Sequence, residues 1–323
     1  MKQPVLSICI PTWNRWYSLQ HCLNSIIEQD EFKSWDVEIV ISDNASTDET
    51  EVEIWKLCEK YGEIRYFRNE VNIWGMLNLN KAYSLWVWKY LWCLSSHTKI
   101  NKMSLRRIIA LLKKYEPCLL LNLLWDELGF SVYKTNSFLQ NYDICLFDNM
   151  VDYFSYLWDQ FVYDKWSFES TNNLFSNLWC SIINKSYYDF IKQDIVIDKG
   201  IEFFNCYSFI HLYIAYYNWW NKKIVLNLLP SFSWVDLRGD EEQKEMKTSW
   251  DRKDKVYMQD AHNFTKYVRA KYFCNVNFLI FLKKFDKFRT KLYIINNLPF
   301  INFVKKCFSK EMRAKIRSFI GNK

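Results

Sequence analysis

Paired cysteines and long apolar runs are both missing from this sequence. The ten Cys are scattered, without a Cys-x-x-Cys pair or a paired metal-ligand spacing. This excludes a disulfide framework and indicates reduced thiols in a cytosolic protein. No apolar run approaches the about 20 residues that a membrane-spanning helix requires. The first run, Val5–Ile10, is too short for a signal peptide and is ended by Pro11. We therefore expect a cytoplasmic protein.

Charge is unevenly distributed along the chain. Residues 265–323 hold 15 Lys and Arg but 2 Asp and Glu, a formal charge of +13, and the rest of the chain carries −6 of the total +7. Basic residues alternate there with aromatic and aliphatic clusters, as in Phe278–Lys291 and Ile301–Ile320. This pattern predicts amphipathic basic helices, which bind anionic membrane surfaces. A helical pair packed on the preceding domain stays open as an alternative. A nucleic-acid contact is not expected, because no recognition module is visible.

The first part of the chain contains one unit twice: an apolar run, a polar loop and a helix. The strands are Val5–Ile10 and Val37–Ser42, the loops Pro11–Arg15 and Asp43–Asp48, and the helices Tyr17–Gln29 and Glu49–Lys60. Continuous apolar runs favour parallel strands that are covered on both faces. Ligands of such sheets bind beyond the carboxyl ends of the strands, so we expect a site at these loops. A buried Asp43 can accept a hydrogen bond from a nucleobase N–H, and Asp48 is expected to cap the second helix.

The remaining pattern fits one large α/β domain with an extension, which 323 residues, half of them hydrophobic, can form. Further strands are predicted at Ile64–Arg68, Tyr90–Leu94, Leu119–Leu124, Cys180–Asn184 and Ile224–Leu229, the last ended by Pro230, and further helices at Met76–Trp86 and Met103–Tyr115.

The tandem loops PTWNR, from Pro11 to Arg15, and SDNASTD, from Ser42 to Asp48, resemble those of family 2 glycosyltransferases. The resemblance covers residues 5–125 well and extends more weakly to about 235. It is greatest to enzymes that add deoxyhexoses to lipid-linked O-antigen units, such as abequosyltransferases. The resemblance implies the GT-A fold, a Rossmann-like, mostly parallel sheet flanked by helices. Residues 1–125 would form the nucleotide-sugar half, 126–262 the acceptor half and 263–323 the basic helical tail.

The resemblance also implies a function and a set of site residues. The expected reaction moves a sugar, with inversion, from a nucleotide-diphospho-sugar to a polysaccharide or lipid-linked acceptor. The donor would be held by Pro11, Thr12, Asn14, Arg15, Asp43, Asn44, Ser46, Asn72, Asn78, Ser96 and His97. Asp198 and Glu202 are the nearest carboxylates for a catalytic base, and His211 lies where the family often has His. The alternatives are helix capping for the carboxylates, a core position for His211, and an ordinary loop and helix start around Asn72 and Asn78.

One expected acidic cluster is absent. Where the family reads like KYLW-x-LSDDDKI, this chain reads KYLWCLSSHTKI, with Ser96, His97 and Thr98 in place of the carboxylates. In the family this cluster holds Mg²⁺ or Mn²⁺ between the donor phosphates. His97 can offer Mn²⁺ one nitrogen; alternatively the loop has lost metal binding and His97 is exposed. A metal-independent transfer would then use Arg15 or Lys99 to carry the leaving-group charge. The loss also favours a second function, that of an inactive nucleotide-sugar or glycan-binding scaffold in surface-polysaccharide assembly.

Glycine and tryptophan are present in unusual numbers, 6 Gly and 16 Trp, whereas Gly is ordinarily about 7% of a protein. Trp88 stands where the family has Gly, and Trp74 adjoins Gly75 in a turn. A turn with positive φ accepts Gly without strain and an indole poorly. Our hypothesis is that UGA codons for Gly have been read as Trp. An AT-rich coding bias is the alternative, and the 24 Phe and 21 Tyr support it.

Overall fold

The computed structural model of this protein describes residues 3–73, 75–125, 144–148, 152–153, 156, 178–186 and 223–234. The strands are β1 (Leu6–Thr12), β2 (Val37–Asp43), β3 (Ile64–Arg68), β4 (Tyr90–Cys93), β5 (Thr98–Ile100), β6 (Leu119–Trp125), β7 (Ile144–Phe147), β8 (Ser181–Asn184) and β9 (Ile224–Trp234). The helices are α1 (Trp16–Ile27), α2 (Asp30–Lys33), α3 (Thr50–Lys60), α4 (Gly75–Ser84) and α5 (Ser104–Tyr115).

The described strands form one sheet in the order β3-β2-β1-β4-β8-β6-β9-β5, with β7 paired to β9. Strands β3, β2, β1 and β4 run parallel to one another, and so do β6 and β9. Strand β8 is antiparallel to both β4 and β6, and β5 and β7 are antiparallel to β9. Six strands therefore point one way, which confirms the expected α/β fold with a mostly parallel sheet.

The core follows from the apolar runs that predicted the strands. Strands β1 and β2 are buried almost along their whole length, because helices cover both faces of the sheet. Helix α1 contributes Leu19, Leu23 and Ile26, spaced so that they lie on one helical face, to the same core cluster as Ile8 and Ile39. None of the helices in the described part of the chain combines the length and apolar character needed to cross a membrane.

Strand β9 runs further than predicted. The prediction ended it before Pro230, but it continues to Trp234. Its pairing with β6 shifts register on both sides of Leu123, where Pro230 faces that residue. A proline lacks the N–H that a regular ladder needs, and a bulge accommodates it without ending the strand. The extension pairs with β5, a short strand after His97 that was not predicted.

Trp35 has a backbone conformation that suits glycine. It follows the last turn of α2 with a φ of 60°, and its N–H donates to the carbonyl of Phe32 at 3.0 Å. This is the position after a helix C-cap, where a left-handed residue is usually Gly. The side chain is 43% exposed, and its ring lies beside Gly62. Trp88, by contrast, does not have positive φ, and Trp74 lies outside the described residues.

We expect Trp35→Gly to be more stable than Trp35→Ala by about 1 kcal/mol. Both variants lose the indole, but only the alanine keeps a Cβ at positive φ, which costs about 1–2 kcal/mol. Urea unfolding of the two variants measures the difference, and equal stabilities would contradict it.

For the recoding hypothesis, peptides of the protein purified from its own organism should read Gly at position 35; Trp in that peptide would exclude recoding there.

Candidate functional site

Two loops are joined at the carboxyl edge of the sheet. Strands β1 and β2 end side by side, and the loops that follow them are cross-linked by hydrogen bonds. The Asn14 N–H donates to Ser46 Oγ at 2.9 Å, and the Thr47 N–H donates to Asn14 Oδ1 at 2.7 Å. The Trp16 N–H donates to Asp48 Oδ2 at 3.1 Å. Asn14 has a φ of 49°, which Asn tolerates better than most residues. The two predicted loops therefore form one polar corner.

Asp48 also bonds the start of α3. Its Oδ1 accepts from the N–H of Thr50, the first residue of the helix, at 3.1 Å. The N-cap position itself is Glu49, which makes no side-chain cap hydrogen bond. Asp48 thus accepts a hydrogen bond from one of the free N–H groups of the first helical turn. It does so from the residue before the N-cap, whereas the sequence predicted a cap.

Asp43 is the anchor of the second loop. It is 0% exposed, and its Oδ1 accepts from the Ser46 N–H at 3.0 Å and from the Ser46 hydroxyl. Its Oδ2 accepts from the Tyr66 hydroxyl at 2.7 Å, with Arg68 Nε at 3.8 Å. Burial and this hydrogen bond raise the pKa of Tyr66, so its hydroxyl stays a neutral donor. The hydrogen bond from Asp43 to a nucleobase stays a prediction, since both oxygens already have partners within the protein.

A group of asparagines connects the second loop to the chain after β3. Asn44 Nδ2 donates to Asn72 Oδ1 at 2.8 Å, and Asn44 Oδ1 accepts from Asn69 Nδ2 at 3.2 Å and from the Ile73 N–H at 2.9 Å. Asn69 also donates to Asn78 Oδ1 at 2.9 Å. Asn72 is exposed, so it can face a ligand. The stretch from Asn69 to Asn78 is thereby fixed against the corner.

Asn78 itself is a buried link between α4 and the sheet. It is 2% exposed, its Oδ1 accepts from Ser42 Oγ at 2.8 Å, and its Nδ2 donates to the Ser42 carbonyl at 2.8 Å and the Thr12 carbonyl at 3.4 Å. Asn78 thus holds the ends of β1 and β2 together from a buried position, and its place along a nucleotide-sugar cleft stays a prediction.

Replacing Asn78 with alanine is expected to lower the free energy of unfolding by about 3 kcal/mol, because buried groups on both strands lose their partner. Asn24→Ala on the exposed face of α1 is the matched control and should change stability by less than about 0.5 kcal/mol. Urea unfolding tests both, and a loss below 1 kcal/mol for Asn78→Ala would contradict the linking role.

The segment Ser96–Thr98 is buried beside the polar corner. His97 is 5% exposed, so the alternative that it is exposed is wrong. Its Nε2 lies 2.6 Å from Arg15 Nη1, and its Nδ1 lies 3.1 Å from Ser18 Oγ. A guanidinium only donates, so Nε2 is the acceptor and the proton of the neutral ring is on Nδ1, facing Ser18. The His97 imidazole is therefore held between Arg15 and Ser18, and the Arg15 guanidinium is oriented by the same contact.

The donor set at this position does not fit Mg²⁺ or Mn²⁺. Both ring nitrogens of His97 have partners, one of them a cation, and Ser96 and Thr98 offer neutral hydroxyls instead of the carboxylates these ions prefer. No group of three or more His, Cys, Asp or Glu side chains in the described part of the chain is arranged to hold a metal. Arg15 occupies one of the two nitrogens with which His97 could ligate the ion, so this arrangement does not support the Mn²⁺ ligation by His97, which stays a prediction.

The predicted donor residues in the described chain lie close together, and some partners were missed. Pro11, Thr12, Asn14, Arg15, Asp43, Asn44, Ser46, Asn72, Asn78, Ser96 and His97 all lie at or beneath this edge. Ser18, Tyr66 and Asn69 were not predicted, since nothing in the sequence distinguishes them from ordinary helix, strand and turn residues. Lys99 is exposed on β5. Asp198, Glu202, His211 and the tail 263–323 lie outside the described residues.

A mixed, mostly parallel sheet with joined polar loops at its carboxyl edge defines an α/β protein of the GT-A type. Residues 7–179, more than half of the chain, match the family described as Glycosyl transferase family 2. The chain therefore belongs to glycosyl transferase family 2, which confirms the resemblance seen in its loops.

Two curated relatives are similar over part of their length. The chain is 41% identical over 113 residues to abequosyltransferase RfbV of Salmonella typhimurium, a match that covers 34% of this chain and 32% of that protein. It is 40% identical over 67 residues to the GalNAc(5)-diNAcBac-PP-undecaprenol beta-1,3-glucosyltransferase of Campylobacter jejuni, over 21% of each chain. The chain thus matches about a third and a fifth of these relatives.

Among solved structures, S. aureus TarS 1–349 in complex with UDP is similar in fold. Its TM-score is 0.52 at 16% identity, and the match covers 98% of this chain and 88% of that one. At this identity the likeness shows the fold alone.

Proposed function

We propose that this protein is a glycosyltransferase that moves a sugar from a nucleotide-diphospho-sugar to a polysaccharide or lipid-linked acceptor. The observation that carries the proposal is the polar corner, in which the loops after β1 and β2 are cross-linked beside the guanidinium of Arg15. Such an edge is where α/β proteins bind nucleotides. Family membership supports transfer, and the names of the two curated relatives, with UDP bound to TarS, support this donor and acceptor class.

The corner suits each part of such a donor. The exposed side chains of Asn14 and Asn72 offer amide groups for the nucleoside, and the buried carboxylate of Asp43 keeps the second loop ordered beneath them. Arg15 offers a planar cation, which binds phosphate through parallel hydrogen bonds. In this proposal the nucleoside lies over the joined loops and the diphosphate lies toward Arg15 and His97.

The proposed reaction is a single displacement with inversion. The acceptor hydroxyl oxygen attacks the anomeric carbon while the bond from that carbon to the diphosphate oxygen breaks. The hydroxyl proton passes to a carboxylate base, for which Asp198 and Glu202 are the candidates and His211 a third. The electron pair of the broken bond remains on the diphosphate, where the Arg15 charge stabilises it.

The basic tail supplies the proposed location. Residues 265–323 carry +13, and each basic side chain near an anionic leaflet contributes about 1 kcal/mol to membrane binding. The tail would hold the enzyme on the cytoplasmic face of the membrane, beside lipid-linked acceptors.

Release of nucleoside diphosphate from UDP-, GDP-, CDP- and dTDP-sugars by the full chain tests the proposal. We expect one donor to be turned over, faster when lipid-linked acceptor is added.

A second candidate function, a nucleotide-sugar-binding scaffold, is favoured by the missing carboxylates. Binding of a donor without any turnover would favour the scaffold, and absence of binding would contradict both functions.

A further inference from the structure

Arg15 carries a charge that the described chain does not neutralise. Its Nη1 donates to the neutral His97 ring at 2.6 Å, and none of the ion pairs among the described residues includes it. Two other partly buried arginines do have carboxylate partners: Arg65 pairs with Glu38, and Arg68 pairs with Glu51. A half-buried guanidinium without a carboxylate partner is a site for an anion, because burial of an unpaired charge is costly.

His97 leaves most of that guanidinium available. An Arg has five N–H donors in a planar fork, and Arg15 contacts His97 through Nη1. His97 is itself fixed, since its other nitrogen bonds Ser18, which is fully buried on α1. The imidazole therefore orients the guanidinium without cancelling its charge, which a carboxylate at the same place would do.

We propose that Arg15, held by His97, does in this chain what a divalent cation does elsewhere, so that the donor diphosphate binds without Mg²⁺ or Mn²⁺. This inference rests on the proposed function, since the anion is the diphosphate of the nucleotide-sugar. Arg15 is the binding residue, and His97 is a positioning residue that acts through it. Because Ser96–Thr98 holds no carboxylate, this segment offers neither the ligands that a divalent cation prefers nor an ion-pair partner for Arg15.

The test is calorimetric titration of the full chain with UDP, GDP, CDP and dTDP, each in EDTA and in Mn²⁺. We expect one of them to bind with affinities that agree within about threefold between the two conditions. Binding at least tenfold tighter in Mn²⁺ would overturn the inference and leave the proposed function standing. If none of the four binds in either condition, the proposed function fails instead.

The role of Arg15 is tested by comparing that nucleoside diphosphate with its monophosphate. The protein should prefer the diphosphate, and Arg15→Ala should remove most of that preference, a loss of about tenfold or more. Arg106→Ala, on the exposed face of α5, is the matched control and should leave the preference unchanged. A preference that survives Arg15→Ala but is lost in Lys99→Ala would overturn the assignment. Thermal unfolding verifies that each variant is folded.

Discussion

Replacement of Asp43 by alanine is expected to lower the free energy of unfolding by about 3–5 kcal/mol, because three hydrogen-bond donors lose one buried acceptor. The carboxylate is completely buried and bonds the Ser46 N–H and hydroxyl and the Tyr66 hydroxyl. Without it the Ser46 N–H and hydroxyl and the Tyr66 hydroxyl lose their acceptor, and a buried donor without an acceptor costs about 1–3 kcal/mol. Urea unfolding with circular dichroism measures the loss.

Asp43→Asn is the matched control, because it keeps the shape and one acceptor oxygen. That oxygen can still bond Ser46, while the amide can donate to the Tyr66 hydroxyl, so we expect a loss of about 1–2 kcal/mol. The loss in the asparagine variant measures the changed hydrogen bonds and charge at constant shape, and the further loss in the alanine variant measures the packing and the remaining hydrogen bonds. Equal losses in both variants, or a loss below 1 kcal/mol for alanine, would contradict the anchoring role.

His97→Asp is expected to make donor binding depend on a divalent cation. The new carboxylate would pair with Arg15 and repel the diphosphate, so affinity in EDTA should fall about tenfold or more. In Mn²⁺ the carboxylate and the diphosphate oxygens together form the oxygen donor set that such ions prefer, and affinity should recover. Calorimetric titration in EDTA and in Mn²⁺ gives both values.

His97→Asn separates charge from shape in this experiment. It has the size of the aspartate variant but no charge, so it should lose some affinity because Arg15 is less well oriented, equally in EDTA and in Mn²⁺. If His97→Asn responds to Mn²⁺ as strongly as His97→Asp, the charge at this position is not what decides cation dependence. That result would remove the physical basis of the assignment of Arg15.

The sequence was informative where local pattern determines structure. Continuous apolar runs predicted β1 and β2, and the turn-forming residues after them predicted the loops, because both features depend on neighbours in the chain. The far end of β9 was missed, because Pro230 predicts a strand end and a bulge opposite Leu123 is not visible in the sequence. Strand β5 depends on that extension for its partner, so it was missed as well.

At the site, too, features that depend on neighbouring residues were predicted, and contacts between distant residues were not. The residues of the two loops were predicted from their motifs, but the surroundings of His97 were not. Its burial comes from Arg15 and Ser18, which are 82 and 79 residues away in sequence. A polar triplet such as Ser96–Thr98 is exposed in most contexts, but here β5 packs against α1 and pairs with β9. Side-chain pairing across such distances has no local signal.

Hydrogen–deuterium exchange of the full chain, with and without the nucleoside diphosphate that binds, tests most directly that the joined loops are the donor site. Ligand contact lowers the opening of the segments it touches. We expect slower exchange in residues 12–16, 44–48 and 95–98, with little change in α5. Nucleotide binding that leaves these three segments unchanged and protects another part of the chain would contradict it.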